Sequence, residues 1–239
     1  MNNTRQIKTF IGAMILATAS TVAYTASVSH SQHGYFALAV LVLAAASSKL
    51  KVKLPGIDGN MSVNLPFLLT AVVNLSAVEA VLVTAVSTAV QCWPKKPAKF
   101  NAQQMAFNLS TTVFASALAW LAFHVSVSVT ASTTMGFALA TATLFLGQTV
   151  PVAGIISVSE KKSAAPIWWN LAHLSFPYFV LSAGVTSMVQ AMSSHLGWGL
   201  ALAVFPVMFA IHRSYRMYFG QAMDALQPQT LVRAAGAGA

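Results

Sequence analysis

Six amides and imidazoles carry most of the chemistry this chain can offer: Asn64, Gln104, Asn108, Gln148, Asn170 and His173. All lie within or at the edge of apolar runs, where a polar side chain is costly to place in a bilayer and therefore informative. On a helix, Gln104, Asn108, Thr111 and Ala115 recur on one face, and so do Asn170, His173 and Pro177. Gln148 precedes Pro151, and Asn64 precedes Pro66. If these faces converge, they form a candidate ligand pocket near the cytoplasmic half of a helical bundle. Plain interhelical hydrogen bonding accounts for the same residues, at about 0.6 kcal/mol per contact. His173 has no second His, Cys or carboxylate at ligand spacing, so it reads as a structural imidazole rather than a metal ligand.

His30, His33, His124 and His195 form a second set, on the face opposite the cationic loops. Imidazole binds Zn²⁺ or Cu²⁺ and titrates near pH 6.5, so this set is a candidate for outer-face proton or metal sensing. Helix-end interface residues are the plainer account of the same positions. Glu79 is the one acid in the apolar stretches, either hydrated at a turn or buried and able to carry a proton. Cys92 reads as a packing residue.

Catalytic sets are missing from the sequence. It has no phosphate-binding G-x-x-x-x-G-K-[ST], no G-x-S-x-G and no H-E-x-x-H. Four acidic residues and one cysteine leave little for acid–base, two-metal or thiolate chemistry. The expectation is a protein that is not an enzyme and holds no cofactor and no metal.

The elements that must position these residues follow from composition. Of 239 residues, 56% are hydrophobic and 7% charged, with a mean hydropathy of +0.69. A soluble domain carries about 25% charged residues, so soluble enzymes, nucleic-acid-binding domains and disordered chains are poor readings. The +9 charge reports cationic cytoplasmic loops rather than a nucleic-acid partner. The expected fold is all-α, a polytopic transmembrane helical bundle of seven to eight membrane segments. The segments are Thr9–Val28, Tyr35–Ser48, Val63–Trp93, Met105–Val127, Met135–Val158, Ile167–Met192 and Leu196–Ile211.

The 63–93 run decides the count. As one helix it would be about 45 Å long, too much for one upright crossing of a core about 30 Å thick. Asn74, Ser76 and Glu79 interrupt it. Folding it as a short helical hairpin, turning at Asn74–Glu79, puts all 13 Lys and Arg on one side. The loops around Ser29–Gly34, Ser126–Thr134 and Ser193–Leu196 then carry none. The positive-inside rule favours that arrangement, with both termini cytoplasmic and the cations facing anionic headgroups. The hairpin arms are short, so they are expected to be re-entrant and buried among other helices.

Residues 1–226 read as a single transmembrane domain with a cytoplasmic exit helix, and 227–239 as a flexible tail. Arg5, Lys8 and the Ala17-Thr18-Ala19 triplet also resemble a secretory signal peptide, although the apolar run continues to Val28. Small residues at Ala44–Ser48, Thr84–Ala89, Ser110–Ala119 and Ala138–Thr143 prepare close helix contacts.

Four stretches together carry a resemblance. They are Ser48-Lys49-Leu50-Lys51-Val52-Lys53-Leu54-Pro55-Gly56 with Met61-Ser62-Val63-Asn64; Val90-Gln91-Cys92-Trp93; Ser175-Phe176-Pro177-Tyr178-Phe179; and Phe205-Pro206 with His212-Arg213-Ser214-Tyr215-Arg216-Met217-Tyr218. In order and spacing the region from Gly34 to Tyr218 resembles the amino-terminal membrane sensor domain of bacterial cyclic-di-GMP signalling proteins, of HD-GYP or GGDEF type. No output domain follows within these 239 residues, so the resemblance implies a sensor-like module without cyclic-di-GMP chemistry of its own. The expected function is a bacterial inner-membrane signal-input module with an unnamed ligand, which acts alone, signals through a separate partner protein or is a relic. The alternatives are a small-molecule transporter or substrate-capture subunit, and a structural subunit of a membrane complex.

Overall fold

The computed structural model describes residues 2–29, 34–53, 60–94 and 100–196, together with Pro206, Phe209, Ala210, Arg213, Ser214 and Met217. The described residues form seven helices and one short strand pair: α1 (Asn2–Val28), α2 (Gly34–Ser47), β1 (Lys51–Lys53), β2 (Asn60–Ser62), α3 (Leu65–Asn74), α4 (Ala77–Cys92), α5 (Ala102–Thr130), α6 (Thr133–Glu160) and α7 (Ala164–Leu196). Four stretches are long and apolar enough to cross a membrane: Thr4–Val28, Ala102–Thr130, Thr133–Glu160 and Ala164–Ala191. The other three helices are shorter, and most of the expected segment Leu196–Ile211, like the tail 227–239, lies outside the described residues.

Local chemistry sets the helix ends. Asn101 and Ser132 cap α5 and α6, accepting from the amides of Gln104 and Met135 at 3.1 and 3.2 Å. Ala131 and Lys161 end the same two helices in the left-handed region, at φ 54° and 55°. The expected loop at Ser126–Thr134 thus contracts to Ala131 and Ser132, because α5 continues to Thr130. Ser193–Leu196, expected as a loop, continues α7 instead. In the Lys-rich connection after α2, β1 and β2 pair antiparallel, with Val52 opposite Met61.

The 63–93 run is an antiparallel helical hairpin. Asn64, at the start of α3, donates to Ser87 in α4 at 3.4 Å. The bond pairs residues 64 and 87, and the turn joins 74 to 77. Both pairs sum to 151, as two arms folded about one point require. The first arm has ten residues and the second sixteen, which makes them about 15 and 24 Å long. α3 packs against α2, α4, α5, α6 and α7. Its Leu65, Leu68, Leu69, Ala71 and Val72 are at most 3% exposed, so this short helix is the centre of the core.

Backbones approach closely where side chains are small. A Cβ added to Gly147 of α6 would lie 2.7 Å from the Cβ and 3.0 Å from the Cα of Ala115 in α5. One added to Gly136 would lie 2.7 Å from Val127 Cγ2. Meanwhile Leu16, Tyr24, Leu38, Leu82, Trp169 and Phe176 are all exposed. A surface this apolar suits lipid and is far from what a soluble monomer presents.

Candidate functional site

Polar chemistry concentrates at the hairpin tip, and it begins with a helix start. Ser76 caps α4, and Glu79 three residues later closes a capping box. The Ser76 amide and hydroxyl donate to Glu79 Oε2 at 3.1 and 2.9 Å, and the Glu79 amide donates to Ser76 Oγ at 3.4 Å. Glu79 is 7% exposed, so its carboxyl is inside the protein rather than hydrated.

Breaking a helix inside an apolar bundle frees backbone groups that must find partners. Here other helices supply them. Trp120 of α5 donates its indole N–H to the Leu75 carbonyl at 3.0 Å. The Ala77 amide donates to Ser29, just beyond α1, at 2.8 Å. Asn74 and Gln190 of α7 form a reciprocal amide pair at 2.9 and 2.8 Å. The turn is therefore tied to α1, α5 and α7 by named hydrogen bonds.

At the base of α3 the same logic repeats. Pro66 has no N–H to satisfy. The Leu65 amide donates to the Tyr178 hydroxyl of α7 at 3.3 Å, and Thr186 donates to the Pro66 carbonyl at 3.3 Å. Two further bonds join α4 to α5: Thr84 to Ser116 at 2.9 Å and Asn108 to Cys92 Sγ at 3.5 Å. Among the described residues, the buried hydroxyls of Thr88, Thr111, Ser126 and Ser182 have no hydrogen-bond partner.

The six pocket candidates are dispersed in burial and in partners. Asn64 is buried on Ser87, and Asn108 is half-buried on Cys92. Gln148 is half-buried in α6. Gln104, Asn170 and His173 are exposed, with His173 edge-on to Trp169 at 4.9 Å between ring centroids.

Of the outer histidines, His30 and His33 lie outside the described residues, and His195 falls within the last turn of α7. His124 stacks on Trp120 at 4.0 Å and meets Phe123 edge-on at 5.1 Å. Its Nδ1 is 2.9 Å from the Trp120 carbonyl. A carbonyl only accepts, so Nδ1 holds a proton in this contact. Among the described residues no three His, Cys, Asp or Glu side chains gather to hold a metal.

The groups that fix this arrangement, Trp120, Tyr178, Thr186 and Ser29, were not among the sequence candidates. One signal was available: Ser76-Ala77-Val78-Glu79 is a capping-box pattern, and it marks where α4 begins. Comparisons with protein-family models, with curated proteins and with solved structures find no match to the chain.

Proposed function

We propose that this protein is a multi-pass membrane protein whose bundle is a signal-input module, acting through a separate partner protein. In this reading it lies in a bacterial inner membrane with cytoplasmic termini, and the cationic loops rest on anionic headgroups. One observation carries the reading: the buried turn of the hairpin is hydrogen-bonded to Ser29, Trp120 and Gln190, three positions on different segments of the bundle. A stimulus that shifts the turn must shift those segments with it. α7, a single helix of 33 residues, then carries the displacement along the bundle.

A substrate-capture subunit is the second reading, favoured by the ten-residue α3. Discontinuous helices build the midplane sites of many transporters, with their free ends on the substrate. Against it, the ends of α3 and α4 are already held by protein groups, namely Tyr178, Trp120, Ser29 and Ser76.

The test is native mass spectrometry of the full chain extracted in nanodiscs, with its copurifying proteins identified. A signalling output protein bound in the complex supports the proposal. An ATPase or other energising partner, with a retained small molecule, overturns it in favour of capture. Fixed stoichiometry within a larger assembly overturns it in favour of a structural subunit.

A further inference from the structure

Several helical threonines of this bundle turn back on their own backbone. Thr70, Thr84, Thr112, Thr149 and Thr186 each donate to the carbonyl four residues earlier, at 2.7 to 2.9 Å. Thr88 of α4 and Thr111 of α5 do not. Their hydroxyls bond no group among the described residues, although the two side chains are only 2% and 3% exposed. A hydroxyl shut away from water in this manner is unfavourable until something bonds it.

The two hydroxyls lie at one depth. Thr84 bonds Ser116, and Asn108 bonds Cys92. Both pairs sum to 200, so α4 and α5 run antiparallel in a fixed register. Thr88 is midway between Thr84 and Cys92 on the same face of α4. The position opposite it is 112, next to Thr111, and one residue is about 1.5 Å of rise. The Thr84–Ser116 bond closes this layer one turn above, and the Asn108–Cys92 bond closes it one turn below.

α6 brings an acceptor to the same depth. It folds back on α5 about Ala131 and Ser132, and its Gly147 stands against Ala115. That register sets Pro151 opposite Thr111. Proline has no N–H, so Pro151 cannot donate to the carbonyl of Gly147 four residues earlier. Helical carbonyls point toward the C-terminal end, so the Gly147 oxygen is directed from the level of Ala115 toward that of Thr111.

The structure assigns a water-binding site to this layer, with one buried water bonded to Thr88 Oγ1, Thr111 Oγ1 and the Gly147 carbonyl oxygen. The valences match. The carbonyl only accepts, so the water donates to it, and each threonine hydroxyl both donates and accepts. Three partners is the usual number for a buried water. The surroundings select a neutral occupant. α5 has no charged residue, and Glu79 and Glu160, the only charges on α4 and α6, are each nine residues from the layer. The inference is independent of the signal-input reading.

The test is a double-mutant cycle in the full chain, read by reversible unfolding in mixed detergent. Thr88→Val and Thr111→Val keep the side-chain shape and remove the hydroxyl. Each should lower the folding equilibrium constant about fivefold, the loss of one net hydrogen bond. Together they should lower it less than tenfold rather than about twenty-five-fold, because both break the same bridge. A rise or no change for the single variants overturns the site, since it means hydroxyls that bond nothing. An additive loss overturns it in favour of two separate partners. Pro151→Ala returns an amide to the Gly147 carbonyl and should weaken the coupling between Thr88 and Thr111; an unchanged coupling overturns the three-way bridge. A high-resolution density map of the unmodified protein gives the second readout. One peak about 3 Å from all three oxygens is expected. A layer without that peak, a direct bond between the two threonines, or a larger bound molecule overturns the inference.

Discussion

Replacing Gly147 by alanine tests whether α5 and α6 are held at the separation that glycine permits. The added Cβ would meet the Ala115 Cβ at 2.7 Å and the Ala115 Cα at 3.0 Å. One of those atoms is backbone, so no rotamer change relieves the contact, and the two helices must move apart. Overpacking of this kind costs roughly 1–3 kcal/mol. Glycine-to-alanine in a helix also gains about 1 kcal/mol of intrinsic propensity.

Gly12, inside α1 with nothing within 4 Å, supplies the control. There the propensity gain stands alone. The difference between Gly147→Ala and Gly12→Ala therefore isolates the crossing, and it should be roughly 1–3 kcal/mol. Reversible unfolding in mixed detergent, read by steric trapping, measures both. Adding Ala115→Gly to Gly147→Ala should recover most of the loss, because it removes the atom struck first. The reasoning is refuted if the two alanine variants agree within about 0.5 kcal/mol, the scatter of neutral surface changes.

Trp120→Phe keeps the ring and removes the donor to Leu75, so a buried carbonyl loses its partner at a cost of about 1–3 kcal/mol by the same unfolding assay; an unchanged stability would mean the indole N–H is not needed. Glu79→Ala opens the capping box and should cost about 1 kcal/mol, while Glu79→Gln, which still accepts from Ser76, should cost less; equal losses would refute the cap. Ala131→Gly relieves the left-handed backbone at the α5 terminus and should stabilise by about 1 kcal/mol; destabilisation would sink that assignment. Asn64→Cys with Ser87→Cys in a Cys92→Ser background should crosslink through a short bis-thiol reagent, as the folded hairpin requires, and a single straight helix would give none.

Much of the architecture is legible in the sequence because it depends on length, hydropathy and charge. The interruption at Asn74–Glu79 and the Lys positions are enough to fold residues 63–93 into a hairpin. The small residues expected to pack closely do so at Ala115 and Ser116. Helix rotation is a different matter. Asn170 and His173 share a face, as their spacing demands, but which neighbour that face meets is set by contacts made elsewhere on α7. Tyr178 and Thr186 bind the start of α3, which turns Asn170 and His173 outward. Periodicity alone cannot separate a polar face turned inward from one turned outward. Likewise β1 and β2 are three residues each, too short for an alternating pattern to stand out.

The sealing of the hairpin also sets a schedule for its assembly. α3 is too short to enter the bilayer as an independent span, and its backbone partners are encoded far downstream. The Leu75 carbonyl waits for Trp120, 45 residues later, and the Leu65 amide waits for Tyr178, 113 residues later. At 5–20 residues per second, synthesis of that second interval takes about 6–23 s. Through that time the Leu65 amide lacks the Tyr178 hydroxyl that it donates to in the folded chain. A chain truncated before α7 would keep that bond, and the amide pair of Asn74 with Gln190, unformed.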